Sequence, residues 1–199
     1  RARRSLPGPR EVLREAAHPR LAHHDLGRAR RTRSRRAQPR VDQLRDLHAA
    51  GGNWRAWARV SDVFAPNIAD PEEKPALLKE VAKVHEQRLG QKEMAFIAWT
   101  RALSDAPADD EALAQTERLA GETEAWDELT GVLEQVAESA RGMVRAKLLL
   151  RLGRAKDEKL DDAAEAEDAY RRALEADPAN PEALQALTGL FKKRGRIRE

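Results

Sequence analysis

Residues 166–184 read AEDAYRRALEADPANPEAL, and residues 95–113, 71 positions earlier, read AFIAWTRALSDAPADDEAL. Ala95, Trp99, Ala102, Leu103, Pro107, Glu111, Ala112 and Leu113 fall opposite Ala166, Tyr170, Ala173, Leu174, Pro178, Glu182, Ala183 and Leu184. The register extends without a gap over residues 77–119 and 148–190, so Leu119 meets Leu190. A fixed internal period of this kind is the mark of a repeat solenoid, whose units stack to share one core.

Apolar residues within each period recur at helical spacing. Leu77, Leu78, Val81, Val84 and Leu89 predict a helix that ends near Gly90. Met94, Ala95, Ala98, Trp99, Ala102 and Leu103 predict a second, stopped by Pro107. A third is expected over 110–120, closed by Gly121 as a C-terminal glycine, and a fourth from Trp126 through Val136. The second copy predicts helices over 146–159 and 162–176, and from Pro181 into Phe191. Upstream, Leu44 and Leu47 lead to the loop Gly51-Gly52-Asn53, and Trp54, Trp57, Val60 and Phe64 follow at helical spacing. Four helix pairs and the start of a fifth result. By phase, Leu103 and Leu174 belong to the core. Leu47 to Trp54, Leu119 to Trp126 and Leu190 to Ile197 share a seven-residue step, so the sequence ends inside a repeat and reads as part of a longer array.

Two organisational units emerge from charge. Residues 1–40 hold 13 Arg, no Lys and three acids, a net of +10. The other 159 residues hold 24 basic and 31 acidic side chains, a net of −7, and the first Lys is Lys74. With Pro7, Pro9, Pro19 and Pro39 and few large apolar residues, the first 40 residues are expected to be disordered. Residues 41–199 are expected to form the repeat array.

The spacing of a small residue, an aromatic four later, Ala three further and Pro five beyond that resembles the tetratricopeptide repeat. Ala95, Trp99, Ala102 and Pro107 carry it in one copy, and Ala166, Tyr170, Ala173 and Pro178 in the other. Leu152-Gly153 is similar to the family's Leu-Gly in the first helix, although its distance to Ala166 is one residue longer; the first copy has Val81-Ala82 instead. The resemblance covers roughly residues 42–199. It implies an all-α, right-handed solenoid of antiparallel helix pairs, whose concave groove is lined by first helices and binds peptide segments of other proteins. It implies no catalysis and no cofactor.

Other chemistries find little support. There is no cysteine, which removes disulfides and thiolate metal sites. His18, His23, His24 and Asp25 are metal-ligand types, but they lie in an Arg-rich stretch that repels cations. Asp109-Asp110-Glu111 and Asp161-Asp162 sit at helix starts, where carboxylates suit the macrodipole. His85-Glu86 lacks the second His of a zinc-protease helix, and no phosphate-cradling glycine loop or nucleophile elbow occurs. Trp99 and Trp126 fall at packing phases rather than as a stacking platform, while Trp54 and Trp57 lie at the weak end of the array, where the phase does not decide between the two.

The expected function is a non-catalytic scaffold for a protein or peptide partner or a neighbouring subunit. Its groove would be lined by Glu80, Lys83 and Gln87 in one copy and Arg151, Arg154 and Glu158 in the other, each trio on one helix face. The mixed charges call for an acidic or zwitterionic segment. The alternative is association of the thirteen Arg with nucleic acid or another polyanion, and a third is contact between the +10 segment and the −7 array. No apolar run is long enough to span a bilayer and no signal-peptide pattern opens the sequence, so a cytoplasmic location is expected.

Overall fold

The computed structural model describes residues 41–195. Readings that fall on 1–40 and 196–199, including the histidine cluster, the Arg-rich segment and Ile197, lie outside the described residues. Helix α1 covers 41–50. It is followed by α2 (Trp54–Phe64), α3 (Glu73–Gln87), α4 (Lys92–Asp105), α5 (Asp110–Thr123), α6 (Trp126–Ser139), α7 (Gly142–Glu158), α8 (Ala163–Ala176) and α9 (Pro181–Lys193). No strand occurs among the described residues. From α2 to α9 consecutive helices pack on one another, and α4 also touches α6 and α7 touches α9. The fold is an all-α solenoid of helix pairs, tetratricopeptide-like in its pairing.

The sequence dictates most helix ends. Asp109 and Asn180, equivalent by the period, each cap a helix by accepting the backbone N–H three residues on, from Ala112 and Ala183 at 3.0 Å. Asn53 and Asp162 do the same for α2 and α8. Such caps contribute about 1 kcal/mol each. Helices α4 and α8 stop two residues before Pro107 and Pro178. The tight turns after α3 and α7 use a left-handed residue at equivalent positions, Gly90 (φ 65°) and Asp161 (φ 52°).

The core is a seam of small and large residues between paired helices. Ala95, Ala102, Ala166 and Ala173 are fully buried, and Trp99 and Tyr170 fill the space beside them. Opposite Tyr170 stands Gly153, where an added Cβ would lie 2.4 Å from the ring. The equivalent of Gly153 is Ala82, buried in the pair that holds Trp99.

Three expectations need correction. Gly121 does not close α5: the helix runs on to Thr123, and Glu124 takes the left-handed cap at φ 57°. Gly121 instead makes room for Trp126, whose ring carbon would lie 3.2 Å from an added Cβ. Leu103 is fully buried, but Leu174 is only half-buried. Helix α6 packs over α4, whereas among the described residues no helix takes that place over α8. The polar, proline-bearing stretch from Pro66 to Pro75 is expected from the sequence to be a connection, but Pro75 lies buried in the first turn of α3, where a missing N–H costs nothing.

Candidate functional site

Helices α1, α3, α5, α7 and α9 are the first members of successive pairs, and ion pairs join each to the next. Arg45 donates to Glu80 at 2.8 Å. Lys83 meets Glu111 at 2.8 Å, and Arg118 reaches back to Glu86 at 2.7 Å. Lys147 binds Asp110, and Arg151 lies 3.6 Å from Glu117. Arg154 donates to Glu182 at 2.9 Å, and Lys193 to Asp157 at 3.1 Å. Two of these contacts are repeats of each other. Lys83–Glu111 recurs 71 residues later as Arg154–Glu182. Glu80 and Arg151 stand at the same repeat position with opposite charge, and each meets a counter-charge on the preceding first helix, Arg45 and Glu117.

Most of these pairs are at least partly exposed, and each contributes about 0–1 kcal/mol. Their main effect is therefore on register: like charges at these positions would repel. Lys79 is held more firmly, between Asp109 at 2.9 Å and Glu111 at 2.8 Å. Those two carboxylates raise its pKa. Burial works to raise the Asp109 carboxyl, but the Lys79 ammonium and the Ala112 N–H outweigh it and the net shift is downward. Glu111 is lowered by the ammonium groups of Lys79 and Lys83. Glu117 differs: burial raises its pKa, because Arg151, Arg154 and Lys147 attract its charge less than desolvation penalises it.

The structure brings Arg151, Arg154 and Glu158 together. They line a cleft of about 160 Å³ between α5, α6 and α7, with Glu117, Trp126 and Lys159. Arg154 and Glu158 also line a neighbouring cleft of about 280 Å³ between α7, α8 and α9, with Tyr170, Glu182, Gln185 and Lys193. Burial, together with the negative charges of Asp157 and Glu158, pushes Tyr170 up to about 12. The first trio is placed differently. Glu80 is engaged by Arg45, and Lys83 is engaged by Glu111 and lies 5.7 Å from the centroid of the Trp99 ring. Gln87 is exposed. Each of the four Trp has a cation over its ring, so all four brace the array.

Sequence reasoning missed Glu117 and Glu182 as parts of this face and treated Glu111 only as a helix-start acid. The signal was present: opposite charges on successive first helices repeat with the period. Among the described residues no group of His, Asp and Glu is arranged to hold a metal ion, and no helix is long and apolar enough to cross a membrane.

No protein-family model matches the chain, and no curated protein matches it in sequence. Solved structures match it in fold. The crystal structure of MamA is 16% identical, covering 78% of this chain and 81% of that one, with a TM-score of 0.44. MamA 41-end from Desulfovibrio magneticus RS-1 is 18% identical, covering 78% and 84%, with a TM-score of 0.42. A tetratricopeptide repeat protein from Parabacteroides merdae ATCC 43184 is 17% identical, covering 81% of this chain and 61% of that one, with a TM-score of 0.46.

Proposed function

We propose that the array is a non-catalytic interaction module that receives a peptide segment of mixed or negative charge on its first-helix face. The observation that carries this reading is the pair of clefts flanking Arg154 and Glu158, on helices locked side by side by repeated ion pairs. A repeat array presents such a face already ordered, so an incoming extended segment meets little ordering cost on the array's side. An acidic segment would compete with Glu117 for Arg151. That contact is the longest of the ladder at 3.6 Å, and burial already disfavours the Glu117 charge.

The test compares proteins captured from a native lysate by the full chain and by Glu158→Arg and Gln87→Glu variants. Both residues are exposed and lie outside the helix-to-helix ladder, so the variants should melt at the temperature of the parent. Loss of a captured partner at unchanged melting temperature is the expected result. An identical bound set for all variants, including Arg154→Ala, would sink the first-helix reading.

A further inference from the structure

A second cleft lies on the opposite face, between second helices, and the function proposed above does not use it. It has a volume of about 670 Å³ and lies between α6 and α8 with α7 beneath. Its floor is built from small or apolar residues: Gly131, Leu152, Ala164 and Ala169. An added Cβ on Gly131 would meet nothing within 4 Å, so space is left there. Its rim is acidic. Asp127 and Glu134 come from α6, and Glu165 and Asp168 from α8.

The charge of these two helices sets them apart. Helix α6 carries four carboxylates (Asp127, Glu128, Glu134 and Glu138) and no Lys or Arg. Helix α8 carries four carboxylates against Arg171 and Arg172. Together they hold most of the excess negative charge of the array, which is −7 over residues 41–199. The corresponding helices of the first copy do not share this: α2 holds two Arg against one Asp, and α4 is balanced. On the rim, Arg172 lies 2.6 Å from Glu134 and 3.4 Å from Asp168, and Lys156 holds Glu165. Asp127 has no ion pair among the described residues.

We propose that this cleft is the docking site of the chain's own Arg-rich segment, residues 1–40. That segment carries 13 Arg and a net charge of +10, and no other stretch of the chain matches it in sign and density. Arginine suits the cleft in both of its parts. The guanidinium fork pairs with rim carboxylates in bidentate geometry, and the aliphatic stem lies along the Gly131, Ala164 and Ala169 floor. Reach does not limit the contact. Forty extended residues span up to roughly 130 Å. Four stacked helix pairs at ~10 Å per layer occupy about 40 Å. Docking of this kind is electrostatic and weakens as salt shortens the range of the charges.

The experiment uses the full chain. The protein has no cysteine, so Ala29→Cys places a single nitroxide label within the Arg-rich segment. Paramagnetic broadening of backbone amides then reports what the segment touches. At low salt, broadening is expected to concentrate on α6 and α8. It should disappear at high salt and fall several-fold in an Asp127→Asn/Glu134→Gln/Asp168→Asn variant. A second variant, Arg28, Arg30, Arg31 and Arg33 to Gln, leaves the array untouched and should remove the broadening equally. Mixing isotope-labelled unmodified chain with spin-labelled chain separates docking within one molecule from docking between two, and either supports the assignment. Broadening spread evenly over the array, centred on the first-helix face, or unchanged by both sets of substitutions would overturn it.

Discussion

Of the described glycines, Gly153 leaves the least room for a Cβ, which makes it the most informative to perturb. Gly153 lies inside α7, and a Cβ built there falls 2.4, 2.6 and 3.0 Å from three ring carbons of Tyr170. Two effects of Gly153→Ala oppose each other. Replacing glycine by alanine in a helix interior stabilises by about 1 kcal/mol. Overpacking a filled core costs about 1–3 kcal/mol. Carbon atoms prefer separations of about 3.5–4.0 Å, so the ring must move by roughly 1 Å. Tyr170 is 1% exposed and is walled by the buried Ala166 and Ala173 of its own helix, so it cannot swing into solvent. The overpacking term should win, giving a net loss of up to about 2 kcal/mol. At this chain length that lowers the melting temperature by up to about 8 °C. The controls are Gly131→Ala and Gly189→Ala, both within helices and both with open space around the added Cβ. Each should stabilise by about 0.5–1 kcal/mol. The assay is urea unfolding followed by circular dichroism, with midpoints compared at constant slope. A Gly153→Ala protein as stable as the Gly131→Ala protein would refute the argument. Adding Tyr170→Leu supplies the coupling: with the ring shortened, the cost of Ala at 153 should shrink or change sign.

The remaining predictions concern burial and charge. Leu103→Ala should cost about 2–5 kcal/mol and Leu174→Ala less, about 1–2 kcal/mol, because the first is sealed and the second half-covered; equal losses would contradict the packing. Tyr170 is the only tyrosine, and its folded pKa is raised to about 12, so its contribution is intact below about pH 10 and lost as pH rises toward 12. Tyrosinate absorbance and helix loss should therefore rise together in an alkaline titration, and ionisation near pH 10 with the helix intact would count against burial. Asp109 and Glu111 have lowered folded pKa values, so their stabilisation is present above the ordinary carboxylate range and lost as pH falls through the lowered values. Glu117 has the opposite sign: Glu117→Gln should leave neutral-pH stability unchanged or improved, while Glu111→Gln should reduce it, as read by melting temperature at pH 7 and pH 3.

The fold was legible because its signals are local and doubled. The caps at Asp109 and Asn180 recur at the same phase. So do the prolines after α4 and α8 and the turn residues Gly90 and Asp161. Each copy therefore checks the other. Gly121 was misread because glycine has two uses that one sequence does not separate. It permits a left-handed cap, and it permits close approach of a neighbour. Here Trp126 uses the second, and Glu124 carries the cap despite its Cβ. Leu174 was misread because helical phase gives the direction of a side chain and not the presence of a cover. Helix α6, from the next pair, packs over α4, and among the described residues no helix takes that place over α8; neither is recorded in the local sequence.

The same limit explains the site. Phase places Glu80, Lys83 and Gln87 on one outward face, as it does Arg151, Arg154 and Glu158. What that face meets depends on the next first helix, about 30 residues away in sequence. Lys83 and Arg154 point at Glu111 and Glu182, which stand at the same repeat position. A charged residue on a solenoid face thus has two potential partners, the adjacent repeat and the ligand, and the adjacent repeat is always present. Binding strength on such a face is a difference between the two. The positions best able to discriminate ligands are those where the internal partner is poor. Arg151 is the clearest of them, since Glu117 stands 3.6 Å away with burial working against its charge. Arg154, held by Glu182 at 2.9 Å, must exchange a well-made hydrogen bond for any new one. A ligand carboxylate should therefore gain more from Arg151 than from Arg154. Removing Glu117 should strengthen acidic-peptide binding, and removing Arg151 should weaken it more than removing Arg154. The reverse order in a titration with one acidic peptide would show that internal pairing does not govern this face.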